Sequence, residues 1–283
     1  MQNNRKAIIM AAVLFVIALL VTVYPVISNY LSEKNKSVIR TEYFNAINEL
    51  DDSAIEEARH KAEKYNAMLS TGVSQAFSDE QLNEAFASYD ELLNLNGDGT
   101  MAYIEIPSLG IYLPVAHGTD AATLENAVGH VVSSSLPIGG MGTHAVLSGH
   151  SGMASEKMFS DLDQLKDGDI FFIHVLNKTL AYTVDDINTV LPEDTSQLAI
   201  ERDKDLVTLI TCTPFGVNTH RLLVRGSRID YDAQAVAADI ESLESEAAGS
   251  TWVNEYIKGI VLGVIILILA VIAYLVMRRG QNG

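Results

Sequence analysis

Cys212 is the one cysteine in the chain, and it closes an apolar, β-branched run, Leu206-Val207-Thr208-Leu209-Ile210-Thr211. Arg221 opens a second such run after a short connection. A thiol is a nucleophile only as thiolate; a guanidinium beside it favours that form and can hold a carbonyl oxygen on which charge builds during attack. If the two runs pair as neighbouring antiparallel strands, Cys212 and Arg221 meet at one end of a sheet, and Arg221, Leu223 and Arg225 share a face. A plainer account of the same residues stands beside this one: a small buried hydrophobe and a solvated strand-end charge.

Acyl transfer through a thiolate also needs a proton-transfer partner. Seven histidines compete for that role: His60, His117, His130, His144, His150, His174 and His220. His150 is the best placed, in Ser148-Gly149-His150-Ser151-Gly152 directly after Ala145-Val146-Leu147, because its small neighbours leave room for a substrate. Asn94, Asn96, Asp98, Gly99 and Glu105 have the spacing of a calcium-binding EF loop. The first ligand position is Asn, however, and Glu105 falls inside the strand-like Tyr103-Ile104-Glu105-Ile106, so a turn feeding a strand accounts for these residues. Neither a metal nor a cofactor is expected.

The elements that must position these groups are mainly β. Strand-like runs cover 101–106, 143–148, 169–174, 179–190, 206–212 and 221–229, separated by turn residues such as Asp167-Gly168, with short helices expected over 123–128 and 157–166. Helix and strand do not alternate as a parallel sheet requires, which predicts a closed or nearly closed barrel. Ahead of it, 35–70 reads as helix, with Val38, Phe44, Ile47 and Leu50, then Ile55, Ala58, Ala62, Tyr65 and Leu69 near helical spacing. Ser53 with Glu56 has the form of a capping box and predicts a helix restart there. The pattern breaks over 71–78, and Ser78 with Gln81 marks a further helical start before Leu82, Phe86 and Tyr89.

Two stretches have the length and apolarity to cross a bilayer. Residues 7–27 follow Arg5 and Lys6, and 257–277 end in Arg278-Arg279. The first lacks a small-x-small cleavage site and reads as an uncleaved anchor rather than a signal peptide. Basic residues on the outer flank of each span put both termini in the cytoplasm and the rest of the chain outside, with membrane lipid as a partner. One cysteine cannot form an internal disulfide, so the external part relies on an ordinary core, and a spare thiol in an oxidising exterior needs a use. The formal net charge of −17, from 36 acidic against 19 basic residues, leaves no basic stripe for a phosphate backbone, so nucleic acid is not an expected partner.

Thr208-Leu209-Ile210-Thr211-Cys212, continuing through Thr213-Pro214-Phe215-Gly216-Val217-Asn218-Thr219-His220-Arg221-Leu222-Leu223-Val224-Arg225-Gly226, resembles the signature of sortases, and most closely their class C, pilus-assembling branch. The resemblance extends back through Ser148-Gly149-His150, Ser135-Leu136-Pro137-Ile138-Gly139-Gly140, Gly129-His130, Leu113-Pro114-Val115-Ala116-His117-Gly118-Thr119 and Tyr103-Ile104-Glu105-Ile106-Pro107. It implies a sortase-like eight-stranded β-barrel with Cys212 as nucleophile, His150 as proton-transfer residue and Arg221 as the group that positions substrate or stabilises the oxyanion. Arg225 matches a motif position without a catalytic role. The implied reaction cleaves the Thr-Gly bond of a Leu-Pro-x-Thr-Gly-like sorting signal on a secreted pilin or surface protein, holds a thioester, and passes the acyl group to a lysine amine of a second pilin as an isopeptide bond. Rival readings are a housekeeping sortase that anchors proteins to peptidoglycan, simple hydrolysis of the signal, and a non-catalytic membrane scaffold that presents secreted subunits.

Hydropathy, periodicity and the resemblance together give this layout: cytoplasmic tip and first transmembrane helix, 1–28; external helical annex with a possible lid loop near 71–79, 29–100; catalytic barrel, 101–230; acidic stalk, 231–256; second transmembrane helix, 257–277; cytoplasmic tail, 278–283. Two departures from the class C pattern stand out. Gln75-Ala76-Phe77 occupies the place of an Asp-Pro-aromatic lid anchor, which predicts a lid that is weakly held or missing, and Ser151 stands where many relatives have Arg, which is expected to alter substrate contacts without affecting His150.

Overall fold

β-Branched and aromatic residues alternating with smaller or polar ones favour strands, and from residue 100 onward they form eight: β1 (Thr100–Ile106), β2 (Ile111–His117), β3 (Val128–His130), β4 (Thr143–Ser148), β5 (Ile170–Val175), β6 (Lys178–Val190), β7 (Asp205–Thr213) and β8 (His220–Ile229). The structure is a computed structural model that describes residues 23–24, 43–70, 88–151, 158–230, 260–261 and 263. The strands close into a barrel in the order β1-β2-β3-β4-β7-β8-β6-β5. All six runs expected as strands are present. The two that periodicity did not mark are β2, which carries Pro114, a residue depleted from sheets, and the three-residue β3 with Gly129 at its centre.

The barrel is mixed. Six pairings are antiparallel, and β2–β3 and β4–β7 run parallel. The first crossover passes through the short helix α2 (Ala121–Asn126), whose first turn is capped by Asp120 accepting from the Ala122 and Thr123 amides. The second passes through β5 and β6. Neither has the long crossover helix that announces a parallel pair in a sequence, which is why no parallel pair was expected. The helix expected over 157–166 is reduced, in its described part, to turns and one 3-10 turn, Leu162–Gln164.

The annex is helical over 43–49 and again in α1 (Asp52–Ser70). The restart falls close to the expected place, but the cap is Asp51 rather than Ser53. Asp51 Oδ1 accepts the Ala54 amide at 2.8 Å and the Ser53 hydroxyl at 2.9 Å, and these bonds hold its carboxyl below the usual range. The Tyr43 hydroxyl donates to the Met101 carbonyl and accepts the Leu176 amide, tying the annex to β1 and to the β5–β6 turn. Asn66, buried on α1, makes a two-way amide bond with Leu136, donating at 3.0 Å and accepting at 2.7 Å, while the Tyr65 hydroxyl donates to Val132. The annex is thus sewn to the barrel by buried polar side chains as well as by Ile47, Ile55, Ala62 and Tyr65.

Inside the barrel, Ala145 and Leu147 of β4, Val207 and Leu209 of β7, and Leu222 and Val224 of β8 pack with Ile104, Phe171 and Tyr182. Full burial of such side chains stabilises the fold by roughly 1.5–3 kcal/mol each. Because strand side chains alternate, this inward set turns the other series outward: His144, Val146 and Ser148 on β4, Thr208, Ile210 and Cys212 on β7, Arg221, Leu223 and Arg225 on β8. The spans expected over 7–27 and 257–277 lie outside the described residues apart from Val23, Tyr24, Ile260, Val261 and Gly263, as do the loop over 71–79 and the stalk. Among the described residues no helix is long and apolar enough to cross a membrane.

Candidate active site

The antiparallel β7–β8 register pairs Cys212 with Arg221, one rung before Thr213 and His220. Residues opposite each other on one rung share a face, so the thiol and the guanidinium lie side by side on the outside of the barrel. Both residues are half-buried. Arg221 Nη1 donates to the carbonyls of His220 at 3.0 Å and Asn218 at 3.3 Å, so the β7–β8 turn orients the guanidinium through backbone acceptors. Among the described residues no carboxylate pairs with Arg221, and its remaining N–H groups find no acceptor there. Arg225 is engaged differently. Its Nε donates to Asp185 at 2.9 Å and it lies within 4 Å of Asp186 and Glu201, an ion-pair cluster that leaves it no reason to face a substrate.

His150 lies on the loop that leaves β4 at the same end of the barrel. The parallel β4–β7 register runs as far as Ser148 opposite Ile210, so this loop starts beside the end of β7 that carries Cys212. The Gly149 amide donates to Ile210 O at 2.9 Å, and the Thr211 hydroxyl donates to Gly149 O at 2.8 Å. The Ser151 hydroxyl donates to the carbonyl of Cys212 itself at 2.7 Å, and the Phe159 amide to His150 O at 3.0 Å. Gly149 is required at this corner because a Cβ there would lie 2.7 Å from the buried Phe159 ring. The His150 ring is half-buried and makes no hydrogen bond to a described residue.

The other histidines are committed elsewhere, except His60, which is exposed on α1. His130 is fully buried between the Tyr89 hydroxyl and the Ser135 carbonyl; burial first, with its neighbour His117 adding, pushes its pKa down to about 4 against the pull of the Ser135 bond. Burial also lowers His144, which bridges Ala199 O and the Thr208 hydroxyl. His117 lies between the Gly99 and Leu92 carbonyls, His174 between Glu105 and the Thr179 hydroxyl, and His220 beside the Thr219 hydroxyl. The Glu105–His174 contact at 2.7 Å removes Glu105 from the EF-like loop, whose Asn94 and Asp98 cap the Gly99 and Thr100 amides instead. No group of residues suited to a metal ion occurs among the described residues.

The segment over 191–204 completes the surroundings. It crosses the outer face below the thiol, held by the Ala199 carbonyl on His144, Gln197 on Asn188 and Glu201 near Arg225. The arrangement is that of a half-buried thiol beside a histidine loop and a guanidinium that has no carboxylate partner among the described residues, on the outside of a closed barrel, equipped for acyl transfer through sulfur.

Comparison with known proteins agrees with this chemistry. A model of the sortase domain matches residues 104–229. The sortase C1 structure of Streptococcus agalactiae is 41% identical, with a TM-score of 0.63, covering 68% of this chain and 98% of that one. A Clostridium perfringens sortase C solved with the C-terminal cell wall sorting motif is 41% identical, with a TM-score of 0.58, covering 68% of this chain and 97% of that one. A Streptococcus pneumoniae sortase C, whose structure bears on catalysis and pilin substrate specificity, is 37% identical, with a TM-score of 0.60, covering 68% and 97%. A barrel of this topology shared at such identity across nearly the whole of each relative makes the protein a cysteine transpeptidase. The chain belongs to the sortase family, within its class C branch.

Two site residues escaped the sequence reading in their actual roles. Thr211 reads from the sequence as a strand and motif residue and Ser151 as one that alters substrate contacts without affecting the base, whereas both spend their hydroxyls fastening the His150 loop to β7. A hydroxyl beside a histidine and another beside a cysteine carry no signal until the parallel β4–β7 register brings them together.

Proposed function

We propose that Cys212 is the nucleophile, His150 the proton-transfer residue and Arg221 the oxyanion-holding group of a pilin-joining transpeptidase. The observation that carries this reading is the Cys212–Arg221 rung on the outer face, with the His150 loop bonded to the same strand end. Cys212 Sγ attacks the threonine carbonyl of a Leu-Pro-x-Thr-Gly-like signal. The oxyanion that forms is met by the N–H groups of Arg221 that the turn carbonyls leave uncommitted. As the carbon–nitrogen bond to glycine breaks, His150 gives a proton to the leaving amine, and a thioester remains. A lysine amine of a second pilin then attacks the thioester carbon, His150 takes its proton, and the thiolate departs as the isopeptide bond closes.

A thioester that must wait for a protein amine needs open access on both occasions, which suits a thiol on the outside of a barrel rather than in a deep cleft. Spans over 7–27 and 257–277 would hold the barrel outside the membrane, with both termini cytoplasmic, where secreted subunits emerge. The test is to incubate the full-length chain with a Leu-Pro-x-Thr-Gly peptide and a lysine-bearing pilin domain, then sequence the product by tandem mass spectrometry. An isopeptide link from threonine to lysine is expected. Hydrolysed peptide alone, at every amine concentration, would refute joining.

A further inference from the structure

We infer that Ser151 is a positioning residue that sets how His150 meets Cys212, an inference that rests on the roles just proposed for those two residues. The β4–β7 ladder ends at Ser148 and Ile210, with one more bond from the Gly149 amide to Ile210 O. Beyond that point the backbone no longer follows β7, and two hydroxyls replace the ladder. Thr211 on β7 reaches back to Gly149 O at 2.8 Å, and Ser151 on the loop reaches across to Cys212 O at 2.7 Å. The bonds run in opposite directions and straddle His150, fixing the residue before it and the residue after it to the strand that carries the thiol. The second ends on the backbone of Cys212 itself, so any drift of the loop is read directly as a change in the spacing of histidine and sulfur.

The geometry also says what Ser151 does not do. Its donor is consumed by a backbone carbonyl within the protein, so the hydroxyl is not offered to a substrate carbonyl. Without it, His150 stays tethered on the Gly149 side and through Phe159, but the end nearer Cys212 is released. Proton transfer depends on sub-ångström placement far more than peptide binding does, so the loss falls on the chemical steps and spares affinity. A hydroxyl is needed here, not a serine in particular, and threonine carries the same donor.

The experiment measures thioester formation on the full-length chain by rapid quench and intact mass, with a Leu-Pro-x-Thr-Gly peptide over a range of concentrations, for wild type, Ser151→Ala, Ser151→Val and Ser151→Thr. Expected is a fall of about tenfold in kcat for Ser151→Ala, a KM within about twofold of wild type, and recovery of most of the rate in Ser151→Thr. If Ser151→Ala does not fold, the comparison of Ser151→Val with Ser151→Thr carries the test, both side chains being branched and only one able to donate. An unchanged kcat in Ser151→Ala, or a raised KM at constant kcat, overturns the inference while leaving the transpeptidase reading intact. Absence of thioester on the wild type overturns the reading on which it rests.

Discussion

Cys212 and Arg221 occupy one rung of the β7–β8 ladder, and among the described residues the guanidinium is held there by the carbonyls of Asn218 and His220 and by no carboxylate. A cation held by neutral acceptors presents a field that no neighbouring anion offsets to whatever negative charge develops next to it, whereas the field of a salt-bridged arginine is partly cancelled by its partner.

This distinguishes two arginines on one strand. Arg221→Lys removes the planar fork and is expected to lower kcat for thioester formation by roughly 10²–10³-fold with little change in fold. Arg225→Gln breaks the pair with Asp185 and is expected to cost about 1 kcal/mol of stability while leaving kcat within about twofold. Steady-state kinetics and urea melts on both variants check the contrast.

Gly149→Ala places a methyl carbon 2.7 Å from the Phe159 ring, which is fully buried and cannot turn aside. The variant is expected to lose about 1–3 kcal/mol of stability and to displace the His150 loop, lowering thioester formation as well. Adding Phe159→Leu should return part of both losses. A double variant no better than Gly149→Ala in thermal melts and kinetics would contradict the steric account.

The annex depends on Asn66. Replacing it by Ala leaves the Leu136 amide and carbonyl buried without partners, and a loss of about 2–4 kcal/mol is expected. Hydrogen exchange should show the added opening at 132–136 and along α1, with β7 and β8 protected as before.

How much of this was legible in the sequence varied with the range of the interaction. β7, β8 and β4 could be read because their apolar alternation is local, and Cys212 beside Arg221 followed from pairing two consecutive runs across a short turn. His150 was marked by its small neighbours and by the resemblance of Ser148-Gly149-His150 to the sortase pattern. The parallel β4–β7 contact that seats it joins segments separated by β5 and β6, and nothing in either segment marks the other as partner. The same holds for Asn66 with Leu136 and for Glu105 with His174, which only the closed barrel brings together. The lid substitution Gln75-Ala76-Phe77 lies outside the described residues.

Acid should weaken the fold through His130. Burial holds it neutral down to about pH 4 in the native state, against an ordinary value of 6.5. Between these values the unfolded chain binds the proton that the native one refuses, so stability is complete above about pH 6.5 and falls as pH drops, by about 3 kcal/mol at pH 4. Burial raises the Asp205 carboxyl, which favours its protonated native form and works in the opposite sense at the acid end of the window. Urea midpoints across this range, compared between wild type and His130→Gln, should show a shallower slope in the variant.

The central claim is that Cys212 forms the covalent intermediate. Intact mass spectrometry of the full-length chain mixed with a Leu-Pro-x-Thr-Gly peptide tests it most directly. The account predicts a mass gain equal to the peptide minus its glycine-side fragment, located on Cys212, lost on adding hydroxylamine and absent from Cys212→Ala. An adduct that persists in Cys212→Ala, or no adduct on the wild type with any peptide of this class, would contradict it.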